Sequence, residues 1–145
     1  MLSKCAMRSH LRLAICAVVA ACLAGCATTS PPPACPAGQQ RLRTAQLFFG
    51  RNIAGEPGVS EAAFHKFVDD ELTPRFPDGL TILDGGGQWR GPENKLIREA
   101  SKVVLIVLPK SGDAGPRIEA VRAAYKTRFH QDSVLLVTQA SCVSF

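Results

Sequence analysis

From about residue 41 onward this sequence predicts an α+β fold of four strands and two helices in the order β-α-β-β-α-β. Three observations lead there. Four short apolar runs, at 44–49, 80–84, 102–108 and 133–138, carry strand composition and are bounded by turn residues. Two intervening stretches, 60–74 and 116–130, repeat apolar residues at helical spacing. A turn at Gly91-Pro92-Glu93-Asn94 lies midway between the second and third strands and folds them into a hairpin. With a right-handed crossover for each β-α-β unit, both helices fall on one face of a four-stranded antiparallel sheet, the ferredoxin-like sandwich.

Each element has its own justification. In the first strand Ala45, Leu47 and Phe49 share one face, and Thr44, Gln46 and Phe48 share the other. A glycine-rich loop follows to Gly58. Ser60 then suits an N-cap, with Val59 and Phe64 spaced as a hydrophobic staple. Ala63, Phe64, Phe67, Val68 and Leu72 form the buried stripe of the first helix, and Pro74 stops it. Between the middle strands stand Gly85-Gly86-Gly87, which predict a bulge because successive glycines weaken a regular ladder. Folding the hairpin about Glu93 sets Asp84 opposite Lys102 and Gln88 opposite Arg98, up to the shift a bulge introduces. Pro116 opens the second helix, whose stripe is Ile118, Val121, Tyr125 and Phe129.

The first 25 residues read as an export signal. Lys4, Arg8 and Arg12 form a positive opening, the apolar stretch Leu13–Leu23 is too short to span a bilayer, and the stretch ends in Leu23-Ala24-Gly25-Cys26. That run resembles the lipobox of bacterial lipoproteins, with Cys26 the lipidated residue and Cys22 a poorer second choice. Ala27 in the next position implies the outer membrane, facing the periplasm, so the cell envelope is the expected location and the lipid the expected membrane contact. Residues 26–40 form a proline-rich linker, and 41–145 a single domain.

Processing changes the composition argument. The whole chain has 17 Lys and Arg against 12 Asp and Glu, and three of the basic residues leave with the signal. A net charge of +5 thus falls to +2, which gives no reason to expect nucleic-acid binding. Cys5, Cys16 and Cys22 leave too, and Cys26 carries lipid. Cys35 and Cys142 remain, in an oxidising compartment, and read as one disulfide.

Several runs resemble a known family: Leu47-Phe48-Phe49-Gly50, 73–81 (TPRFPDGLT), Gly87-Gln88-Trp89-Arg90, Glu99-Ala100-Ser101-Lys102-Val103 and Cys142-Val143-Ser144-Phe145. They occur in the order found in domain-of-unknown-function family 3574, small proteobacterial proteins, and the resemblance spans Thr44 to the C-terminus. It implies an envelope location and a compact domain. It brings no activity and no catalytic residues.

Candidate chemistry is sparse. Arg75, Asp84, Gln88, Glu99 and Lys102 form the best polar group, in which an acid, an amide and two cations could hold a carboxylate or enolate-like ligand, with Asp84 or Glu99 as proton acceptor. The plainer and preferred reading is a salt-bridge network around the glycine run. No catalytic residue is assigned, and no cofactor is expected. His65 and His130 have no metal-ligand spacing to cysteines or carboxylates, Asp69-Asp70-Glu71 sits on a helix, and no metal is expected. The glycine run lacks the lysine and helix of a phosphate loop. Trp89 reads as hairpin packing. Arg51-Asn52 evokes the acylphosphatase topology without its anion loop.

Val103–Leu108 is apolar without a break, and Val134-Leu135-Leu136-Val137 adds to the excess. A strand covered on one side should alternate, so the free face must be covered by the chain's own linker and tail, a second copy or an apolar ligand. A homodimer is the preferred cover. The functional expectation is a non-enzymatic interaction or small-ligand-binding module in the envelope, with an unknown envelope protein or small ligand as partner. The alternative is a small cofactor-free enzyme of dimeric α/β-barrel type doing proton transfer in an apolar pocket.

Overall fold

Residues 33–145 are described by a computed structural model. The expected signal peptide, the lipidation site Cys26 and the first part of the linker lie outside the described residues.

The sheet is built from β1 (Gln40–Gly50), β4 (Thr81–Arg90), β5 (Leu96–Val107) and β6 (Leu135–Val143), in the order β4-β5-β1-β6. Every neighbouring pair is antiparallel. Between β1 and the first helix, β2 (Asn52–Ile53) and β3 (Glu56–Pro57) make a miniature hairpin. Helix α1 (Glu61–Phe67) and helix α2 (Gly115–Phe129) provide the two crossovers, as the α+β ferredoxin-like sandwich requires.

The chemistry of α1 is the one its sequence announces. Ser60 accepts from the backbone N–H of Ala63 at 3.1 Å, and Val59 and Phe64 are both buried. The helix widens after Phe67 instead of running uniformly to Pro74. Val68–Leu72 form a π turn closed by the Thr73 N–H on the Val68 carbonyl at 2.9 Å, and Val68 and Leu72 stay buried. Helix α2 ends where expected: His130 takes a left-handed conformation and donates its N–H to the Lys126 carbonyl.

The long hairpin follows the expected register, but its bulge is absent. Pairing runs without insertion from Thr81↔Leu105 through Asp84↔Lys102 and Gln88↔Arg98 to Arg90↔Leu96. Crowding beside the strand explains one of the glycines. A Cβ on Gly85 would lie 2.9 Å from Ser101 Oγ and 3.3 Å from Val103 Cγ2, so the missing side chain gives room to its neighbours without bending the ladder. Both strands are therefore longer than their apolar runs. Since β1 stops at Gly50↔Ser101, the rest of the hairpin leaves the sheet as a two-stranded arm tipped by Glu93 and Asn94, both in left-handed backbone.

On the helix-covered face Ala45, Leu47 and Phe49 of β1 meet Val104, Ile106 and Leu108 from β5 and its end. An aromatic cluster fills the middle. Tyr125 lies 4.7 Å from Phe49, 4.9 Å from Phe67 and 4.7 Å from Phe129 between ring centroids. Its hydroxyl donates to the Gly50 carbonyl at 2.8 Å. Burial raises the Tyr125 pKa, with Glu99 adding to the rise and Arg51 opposing it. Cys35 and Cys142 form the expected disulfide and tie the segment before β1 to β6.

Candidate functional site

The five polar residues singled out in the sequence separate into distinct groups. Asp84 and Lys102 do meet, because they are register partners on the same face of the hairpin. Lys102 Nζ lies 2.6 Å from Asp84 Oδ1 and 2.5 Å from Glu61 Oε1. Glu61 opens α1, so the second carboxylate arrives from the crossover helix. Arg51 completes the group, donating from Nη1 to Glu61 Oε2 at 3.1 Å and from Nε to the Val59 carbonyl at 2.9 Å.

Burial in this group is lopsided. The Lys102 side chain is 4% exposed, against 54% for Glu61 and 84% for Asp84. The ammonium sits 6.0 Å from the Phe64 ring centroid, at the rim of the aromatic core. Hydrogen bonds from Lys102 hold the carboxyls of Asp84 and Glu61 below their ordinary values, and the same bonds, Asp84 first and Glu61 second, raise Lys102 against the pull of desolvation. All three groups are charged at neutral pH. The chemistry is a clamp from the start of α1 to the middle of the hairpin. A carboxyl poised to take a proton at pH 7 needs the opposite shift.

Arg75 is not part of this group, correcting the expectation. It donates to the Glu71 carbonyl at 2.7 Å and to Glu71 Oε2 at 2.8 Å, one helical turn away. Arg128 of α2 bonds Asp70 and Glu71 from the other side, so these charges lash the π turn to the second helix. Glu99 also goes elsewhere. Its Oε1 accepts from the Asn52 N–H at 2.8 Å, and a Cβ on Gly50 would stand 2.6 Å from it. Gln131 donates to the Asn52 carbonyl, so Glu99, Gln131 and Tyr125 together hold the chain as it leaves β1. Gln88 is exposed on the arm opposite Arg98, and neither side chain has a polar partner among the described residues.

A shallow recess of about 400 Å3 opens beside the clamp, lined by Arg51, Asn52, Gly55, Pro57, Val59, Arg98 and Ala100. Its guanidinium groups could face a carboxylate or another small anion. Arg51 is already committed to Glu61 and Val59, which leaves Arg98 as its uncommitted cation among the described residues. Among the described residues no group of three or more His, Cys, Asp or Glu could hold a metal ion. His65 is exposed on α1, 3.2 Å from Glu61 Oε1.

Sequence reasoning missed Glu61 and undervalued Arg51. Forty-one positions separate Glu61 from Lys102, and no local spacing links them. The only signal was position: an acid directly after an N-cap serine, favoured by the helix dipole and free to reach outward.

The model of a family described as a protein of unknown function, DUF3574, matches residues 44–145. The chain belongs to the DUF3574 family. No curated protein matches it. Among solved structures, this DUF3574 domain is similar to a phage SAM lyase in complex with S-methyl-5'-thioadenosine, at 15% identity and a TM-score of 0.56 over 80% of this chain and 97% of that one. A phage SAM lyase in its apo state aligns at 17% identity and a TM-score of 0.55 over the same shares. At these identities the likeness is one of fold.

Proposed function

We propose that this DUF3574 protein is a non-enzymatic envelope lipoprotein, exported, lipidated at Cys26, and working as an interaction module through the free face of its sheet. One observation carries the reading. The helices and aromatic core occupy one face, while the opposite face shows Leu83, Leu135 and Val137 at 52%, 58% and 39% exposure. The Cys35–Cys142 disulfide supports an oxidising compartment, where such bonds persist. Lipid on Cys26 and a proline-rich spacer would hold this face near the membrane while leaving it free to meet a partner.

The second reading, a small cofactor-free enzyme of dimeric α/β-barrel type, draws on one observation: the same fold serves a phage SAM lyase. The polar group argues against proton transfer. Asp84 is solvated, and Lys102 holds its carboxyl ionised where a general base working near neutral pH needs a raised value.

The anchoring half of the proposal is tested in cells. Cys26→Ala is expected to abolish incorporation of a palmitate analogue and to move the protein from the membrane to the soluble fraction. Labelling that persists would move the anchor to Cys22. Wild-type protein that takes up no label would sink the tethered reading.

A further inference from the structure

We infer that the occupant of the free sheet face is a second copy of this chain, packed sheet on sheet; this rests on the reading of that face as the working surface. The register defines the surface. One row across all four strands is Leu83, Val103, Phe48 and Leu135, and the next is Thr81, Leu105, Gln46 and Val137. Beyond them come Val107, Gln139 and Thr44 on one side, where Thr44 is already buried and hydrogen-bonded to Ser141, and Gly85, Ser101 and Gly50 on the other. These rows contain no charged residue.

That absence selects the partner. An acidic or basic protein surface, or an anionic membrane, would find no complementary charge here. An uncharged, largely apolar surface is its own complement, and a two-fold axis sets each copy's patch against the same patch on the other. Size sets the strength of the pair. The fourteen residues of these rows, each taking about 4.8 Å by 6.8 Å of one face, present about 450 Å2 per copy, so a face-to-face pair buries about 900 Å2, in the range of weak, transient interfaces.

The described residues leave most of the face open. Once the signal is removed, only Cys26–Pro32 precede the described residues, a stretch of Cys, Ala, Thr, Ser and Pro with no large apolar side chain. Its continuation is tied at Cys35 to Cys142, which shares its strand side with Leu136 and Thr138, away from the free face. Phe145, two residues past the end of β6, does not fold back on the face, since it is 99% exposed.

The test uses the full-length chain in cells, with a photo-crosslinking benzophenone amino acid placed at Leu83, at Leu135 or, as a control, at Lys66 on the helix side. Leu83 and Leu135 are expected to give an adduct of twice the chain's mass whose peptides come from this chain alone, and Lys66 none. Leu135→Lys, with the probe at Leu83, places an unpaired cation on each copy and is expected to reduce the adduct roughly ten-fold or more. Leu135 is exposed in the single chain, so this variant folds. Adducts only to a different protein would overturn the second copy and leave the face reading standing. No adduct from either position would overturn both. An adduct that survives Leu135→Lys, or forms equally from Lys66, would reduce the contact to chance encounter and overturn the proposal.

Discussion

Strand β5 faces two environments, and the same apolar run meets each differently. Toward the helices Lys102, Val104, Ile106 and Leu108 are all buried, and toward the free face Val103, Leu105 and Val107 are only half-buried. Composition does not explain the contrast, since the free-face residues are no more polar. Coverage does: the helices contribute Phe64, Phe67, Tyr125 and Phe129 to one side, and no described helix contributes to the other. An uninterrupted apolar strand therefore reports how many surfaces need a cover, and here the described residues supply one.

The largest effect expected is on the bond that closes the domain around both faces. Cys35 and Cys142 are 107 residues apart, and removing a cross-link over a loop of that size costs about 4–5 kcal/mol on the chain-entropy model. Cys35→Ser should lower the denaturation midpoint accordingly in non-reducing buffer. An unchanged midpoint would mean that the bridge does not form. Next comes the comparison of faces itself. Phe49→Ala leaves a hole in the aromatic cluster and should cost about 3–5 kcal/mol. Leu83→Ala, measured on monomer at high dilution, should stay within about 0.5 kcal/mol. Equal losses at the two positions would mean that the free face is already covered within one chain.

Much of this contrast was legible in the sequence, for local reasons. Helical spacing picked out Ile118, Val121, Tyr125 and Phe129, and all four are buried. Folding about Glu93 gave the Asp84↔Lys102 pairing because a tight turn and a period of two leave little freedom of register. The bulge was a false expectation, drawn from backbone freedom when Gly85 answers to the side chains of Ser101 and Val103. Arg75 was placed wrongly although the clue was near: Glu71 stands four residues earlier, at (i, i+4) spacing, in the π turn that Arg75 follows. Glu61 was beyond reach, because its contact with Lys102 exists only after the crossover has packed.

The smallest expected effect concerns that last contact and sharpens the comparison at the rim of the covered face. Lys102 is raised in the folded protein, so its stabilisation is fully present below the unfolded lysine value of about 10.4 and is lost as pH rises through the higher folded value. Asp84 and Glu61 are lowered, so their share is present above their unfolded values near pH 4 and is lost as pH falls through the folded ones. Both flanks should flatten in Lys102→Met, which keeps an apolar stem against Phe64 and removes the cation. The alkaline flank should flatten only in part, because Tyr125, raised by burial, is driven to ionise on unfolding above about pH 10 and destabilises the fold there independently. Denaturation midpoints across the pH range would show this, and amide exchange at Asp84 should quicken in the variant as the clamp on the hairpin opens. Unchanged slopes on both flanks would demote the triad to a surface contact. The rim of the covered face would then owe its order to Phe64 and the strand pairing alone, with no contribution from the charges that join α1 to the hairpin.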